Sequence, residues 1–145
     1  MNLVPGIHEI SWQVFVEEFG FTDQRQLLID GMKVALNILI TCNCKYVYID
    51  GSFTTKKFKP GDWDGCFDPM GMNLAKMINE YPFFTDIIFN QGSARKQQKD
   101  LFKGEIYPCT TRINLTGNTF LDFFQTDKDK MQKGIIKLSI ENFIL

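Results

Sequence analysis

Two aspartates separated by one residue, Asp62 and Asp64 in GDWDG, follow ten residues behind a Gly51-Ser52 pair. On an extended strand, side chains repeat every second residue, so this spacing turns both carboxylates to one face. Held ~4 Å apart they would repel by about 4 kcal/mol at an effective dielectric near 20. A divalent cation turns that repulsion into attraction. Hard oxygen donors suit Mg2+, or Mn2+ in its place, with further ligands drawn from water and substrate phosphates. Gly51 has no Cβ, so backbone there can approach a phosphate closely, and the Ser52 hydroxyl and exposed N–H groups can donate to it. Positioning plus charge neutralisation is most of what phosphoryl transfer asks of a protein.

Cationic residues lie where such a ligand would need them. Lys56, Lys57 and Lys59 stand between the two halves of the motif. Arg95, with Lys96 and Lys99, sits near the start of a polar helical stretch that could face a triphosphate or an RNA backbone. Asp122, in TFLDFF, is a carboxylate among apolar neighbours, and it must either face solvent or meet a cation. A second Gly-Ser, at 92–93, is followed by helix-forming residues and by no D-x-D, so it is a decoy. Asp68 is too far along the strand for the same metal and is expected to cap a turn. His8, the one histidine, is a poor candidate for a catalytic base. Cys42 and Cys44 form C-x-C, but one remote histidine leaves too few ligands for structural zinc.

The elements that must position these residues follow from periodicity. Ser11 can cap a helix carrying Trp12, Phe15, Val16 and Phe19, which Gly20 ends. A second helix is expected from Thr22 or Asp23 to about Ile40, with Leu27, Leu28, Met32, Ala35, Leu36 and Leu39 in its buried stripe. Strands are expected at 45–49 and 63–67, separated by the Pro60-Gly61 turn. Helices at 73–80 and 93–102 and strands at 87–89, 105–107, 119–124 and 135–140 complete the reading, with a hairpin through 119–140 around a charged turn at 126–134. Helices first and strands later imply one α+β domain over 1–145, with a mixed or antiparallel sheet.

Composition narrows the function. The chain has 145 residues, 44% hydrophobic and 23% charged, with 14 phenylalanines and a formal charge of −1. That balance argues against a broad basic surface coating nucleic acid and leaves room for a local basic patch. No apolar run approaches the ~20 residues that cross a bilayer, and the start lacks the pattern of a signal peptide. The expectation is a cytoplasmic protein without membrane contact, with its four cysteines as reduced thiols and the Asn114 sequon without meaning.

Gly-Ser followed after about ten residues by D-x-D between short strands resembles the signature of the nucleotidyltransferase superfamily with a DNA polymerase β-like fold. FLDFF around Asp122 matches the third carboxylate of that pattern. The longer runs YIDGSF, PGDWDGCFDP, SARKQQ, GEIYP and TFLDFFQTDKD are similar to small bacterial and phage proteins grouped as nucleotidyltransferase-like, over nearly the whole chain. The resemblance implies a mixed sheet flanked by helices. It implies Mg2+-dependent transfer of a nucleoside monophosphate from an NTP such as ATP to a hydroxyl of RNA, tRNA included, or of a protein. Asp62, Asp64 and Asp122 would be catalytic metal ligands, and Gly51, Ser52, Lys56, Lys57 and Arg95 would bind the nucleotide. Small members of the superfamily often belong to toxin–antitoxin or phage-defence modules, which implies a cognate antitoxin as partner. FTTKKFKPG stands where the common small-transferase pattern has Arg-Gly. The alternative is a catalytically inactive nucleotide-binding or regulatory module that acts through a protein partner.

Overall fold

The computed structural model describes residues 3–84, 91–110, 119, 121, 125 and 133–141, and at 51, 52 and 91 the backbone path alone. Asp122, the strand expected at 87–89, half of the 119–140 hairpin and Asn114 lie outside the described residues. In chain order the elements are β1 (Gly6–Ile10), α1 (Trp12–Phe19), α2 (Asp23–Thr41), β2 (Tyr46–Asp50), β3 (Trp63–Phe67), α3 (Leu74–Glu80), α4 (Gln91–Phe102), β4 (Gly104–Pro108) and β5 (Gly134–Ser139). Short 3-10 turns occupy Gly51–Thr54 and Pro82–Phe84. The fold is α+β with a mixed five-stranded sheet in the order β1-β5-β2-β3-β4. The pairs β1–β5 and β3–β4 are parallel, while β5–β2 and β2–β3 are antiparallel.

Local signals set the helix boundaries. The Ser11 hydroxyl accepts from Val14 N–H and starts α1, and Thr22 does the same for Arg25 N–H at α2. Asn73 Oδ1 accepts from Lys76 N–H at α3. Helix α4 begins at Gln91, so the second Gly-Ser lies inside it. Strand β1, absent from the sequence expectations, is an edge strand of low burial whose order comes from its pairing with β5.

Alternation divides the sheet into two unlike faces. Val47 and Ile49 of β2, Trp63 and Phe67 of β3, Ile106 of β4, and Ile136 and Leu138 of β5 join the main core with the apolar stripes of α1 and α2. Full burial of each large side chain there contributes about 1.5–3 kcal/mol. Helix α4 closes on α2 and on the sheet through small residues. A side chain at Gly31 would collide with the Phe102 carbonyl, and one at Gly104 with Trp63. Trp63 Nε1 donates to Phe102 O at 2.8 Å. Buried Gln98 takes both main-chain groups of Ile106 on the edge strand β4, donating to its carbonyl at 3.0 Å and accepting from its N–H at 2.7 Å. These bonds fix α4 over the end of the sheet.

The opposite face carries a small cluster of Cys66, Cys109 and Ile135, with Tyr48 and Leu121 packed on it. Cys66 and Cys109 are disulfide-bonded, with Cα atoms 4.8 Å apart. This differs from the expectation of reduced thiols. Parallel pairing sets Cys66 opposite Tyr107, and the Cys109 N–H donates to Phe67 O, which brings the two sulfurs together. Cys42 and Cys44 are free and buried, and burial pushes the Cys44 thiol up to about 12. Among the described residues no helix is long and apolar enough to cross a membrane.

Candidate functional site

The second face of the sheet gathers carboxylates. Pairing puts Asp50 opposite Asp64 and Asp64 opposite Glu105, so three acids lie side by side on three neighbouring strands. Period-two alternation sends Tyr48, Cys66 and Tyr107 to the face away from the main core, and Asp50, Asp64 and Glu105 with them. The row lies where β2 ends and β3 and β4 begin. The backbone passes directly from Asp50 into the Gly51–Thr54 turn. Neighbouring strands are about 4.8 Å apart. Asp64 in the middle can therefore share a small ligand with either neighbour, whereas the outer two cannot share one with each other.

Asp64 is the strained member of this row. Burial raises its carboxyl to about 7, and the charges of Asp62, Glu105 and Asp50 add to the rise against an opposing pull from Lys99. The two partners of Asp64 in the row are each held by a cation. Lys133 Nζ lies 3.0 Å from Asp50 Oδ1, with both side chains largely buried. Arg95 Nε donates to Glu105 Oε1 at 2.7 Å, and the Tyr107 hydroxyl donates to the same oxygen at 3.3 Å. The Glu105 carboxylate in turn raises the pKa of Arg95. Asp62 is 3.9 Å from Lys99 Nζ. Among the described residues, no three His, Cys, Asp or Glu side chains are gathered as the ligand set of one metal ion. The donors suit a hard divalent cation, and such an ion would compete with Arg95 and Lys133 for them.

The loop after the Gly51–Thr54 turn is fastened from beneath by one residue. Arg25 is fully buried. It donates from Nε to Lys57 O at 2.8 Å, and from Nη1 to Phe53 O at 2.6 Å and Phe19 O at 3.1 Å. Its Nη2 donates to Thr55 O at 2.6 Å. Phe21 and Phe53 lie against the guanidinium, with ring centroids 4.3 and 4.9 Å from its carbon. Thr22 Oγ1 donates to Phe58 O and Gln24 Nε2 to Pro60 O. The start of α2 thus holds the main chain of 53–60, and the side chains of Lys56, Lys57, Phe58 and Lys59 are left exposed.

Beyond Asp62 a groove of about 440 Å3 runs between α2 and α4, lined by Gln24, Leu27, Leu28, Gly61, Asp62, Lys99 and Lys103. Of the residues singled out in the sequence, Asp62, Asp64 and Arg95 come together at the acidic row. Gly51 begins its backbone extension and Ser52 follows. Lys56 and Lys57 lie on the exposed loop. Asp122 lies outside the described residues. Asp68 caps the turn after β3 by accepting from Met70 N–H at 3.0 Å. His8 is on β1, with β5 and β2 between it and β3. Asp50 and Glu105 were not anticipated. Both had the signal used for Asp122, a carboxylate closing or occupying an apolar strand, in YID and GEIYP.

No curated protein and no solved structure matches the chain. A family model described as a family of unknown function (DUF6932) matches residues 1–139, so nearly the whole sequence falls within it. The chain, with its acidic row on the second face of a mixed sheet, belongs to that family.

Proposed function

We propose that this protein is a Mg2+-dependent nucleotidyltransferase that moves a nucleoside monophosphate from an NTP to an acceptor hydroxyl, with pyrophosphate leaving. The observation that carries the reading is the register Asp50–Asp64–Glu105, which sets acids on three adjacent strands beside the Gly51–Thr54 turn. A strand running into Gly-Ser, with D-x-D beginning the antiparallel strand next to it, fits the DNA polymerase β-like arrangement. Asp64 would be the central metal ligand and Asp62 a second. Glu105 stands ready for the role that the sequence gives to Asp122. Mg2+ would neutralise the phosphates and the incoming hydroxyl. Arg95, released from Glu105, would turn to the triphosphate. A cognate antitoxin would act by covering this face.

The ion pairs at Glu105 and Asp50 favour a second reading, a nucleotide-binding module that no longer gathers metal. One experiment separates the two. Protein, Mg2+ and α-labelled NTP are incubated with an RNA or protein acceptor, and Asp64→Asn is compared with wild type. Loss of labelling by about 10²–10³-fold, the scale of removing one preorganised electrostatic contact, supports transfer. Undiminished labelling by Asp64→Asn would refute it. Nucleotide binding that is indifferent to Mg2+, without labelling, would favour the module.

A further inference from the structure

We infer that the loop Lys56–Lys59 and the groove behind it form a binding surface for single-stranded nucleic acid, and that this is the acceptor site. The role as acceptor rests on the transferase reading, but the binding does not.

Phe58 is 71% exposed, although its main chain is fixed. Here the carbonyls of Lys57, Phe58 and Pro60 are all bonded to α2, which directs them inward and holds the side chains in place above. Phe21, 44% exposed, meets Phe58 edge to face at 5.9 Å and is backed by the Arg25 guanidinium. The result is a rigid aromatic platform with Lys56, Lys57 and Lys59 beside it. Every nucleobase has a π-face, so such a platform accepts bases without regard to sequence, and lysines take the backbone phosphates.

The surface continues in one direction. From Pro60 the main chain reaches Gly61 and Asp62 on the wall of the groove, and Lys99 and Lys103 of α4 and its end stand in the same lining. A strand stacked on Phe58 would run along lysines toward the acidic row, where its terminal hydroxyl would meet the nucleotide. Single strands fit better than duplex. The chain has a formal charge of −1 with Lys56, Lys57 and Lys59 close together on one loop, and the aromatic platform needs an unstacked base.

The test is fluorescence anisotropy with labelled single-stranded RNA of about 12 nucleotides, its DNA counterpart and a duplex, all in EDTA without NTP. Single strands should bind in preference to duplex. RNA preference over DNA would identify the natural strand, and equal affinity would still support the surface. Phe58→Ala should weaken binding about tenfold, within the usual worth of one stacked base. Phe58→Trp should retain affinity and show quenching on binding. Lys56→Ala with Lys59→Ala should lower the salt slope by roughly 1.4, near 0.7 for each phosphate contact. Phe58→Ala binding like wild type, or duplex binding as tightly as single strands, would overturn the inference. RNA bound through Phe58 by a protein that transfers nothing would sink the transferase reading alone. Transfer to a protein, with no RNA bound, would sink this inference alone.

Discussion

Among the charged side chains that leave water in this fold, Arg25 and Asp64 are treated in opposite ways. Arg25 is fully buried under the loop at 53–58, with its N–H groups aimed at four carbonyls and two aromatic rings against it. Burial lowers its pKa, but a guanidinium starts so high that it stays charged. Asp64 is partly buried among Asp62, Glu105 and Asp50, and its carboxyl rises to about 7. The first charge is answered by fixed dipoles of the protein itself and serves as scaffold. The second is surrounded by its own sign, an arrangement that costs stability until something positive arrives. Charges that build a fold are satisfied within it. Charges kept for a ligand are left short.

Removing Arg25 should therefore do the greater damage. Arg25→Met keeps the volume roughly and deletes every donor, leaving carbonyls of Phe19, Phe53, Thr55 and Lys57 to find water or stay unpaired. We expect a loss of about 3–5 kcal/mol in chemical denaturation. Arg25→Lys should recover only part, because one ammonium cannot reach carbonyls set around a planar fork. A loss below ~1 kcal/mol for Arg25→Met would mean that the loop relaxes freely, and the contrast with Asp64 would fail.

Asp64→Asn should do the reverse and stabilise. Because the folded carboxyl titrates near 7 and the usual value is 3.8, the native state holds the proton more tightly than the unfolded chain. Wild-type stability is then favoured below about pH 4 and is lost as pH rises toward 7. An amide in place of the carboxyl has no proton to lose and carries no such dependence. The variant should match wild type near pH 4 and exceed it by about 1–3 kcal/mol at pH 8. Mg2+ should raise the melting temperature of wild type at pH 8 and leave the variant unmoved, since a ligand stabilises only the state that binds it. A variant less stable than wild type at high pH would show that Asp64 is answered as fully as Arg25.

Most of the local structure was legible in the residues themselves, but of this contrast only the acidic half was. The helix starts at Ser11, Thr22 and Asn73, the strand at Trp63–Phe67 and the helical fate of the second Gly-Ser follow from caps and local periodicity. Asp62 and Asp64 stood out by spacing. What could not be read was anything set by register between distant strands. Glu105 becomes a neighbour of Asp64 only because β4 pairs in parallel with β3, and Cys109 reaches Cys66 for the same reason. Asp50 was hidden by its place just past the strand expected at 45–49, whereas it closes β2 and is the first acid of the row. Arg25 looked like an ordinary helical cation in DQRQLL, since its acceptors are carbonyls and carry no sequence signature.

The subtlest measurement concerns how the row shares its charge. Glu105 raises the Asp64 carboxyl through space, and it is itself gripped by Arg95 at 2.7 Å. Glu105→Gln removes one negative neighbour of Asp64 but also frees Arg95, whose cation can then swing nearer. Both changes favour ionised Asp64, so its midpoint should fall from about 7 toward the ordinary carboxylate range. Arg95→Ala acts oppositely. It leaves Glu105 uncompensated beside Asp64, and the midpoint should rise. Because Arg95 is about half exposed, the lost ion pair itself should cost no more than ~1 kcal/mol of stability. Carboxyl 13C shifts followed through a pH titration would read both directions in one experiment. Equal midpoints in the two variants would mean that burial alone sets Asp64, with its neighbours in the row as bystanders.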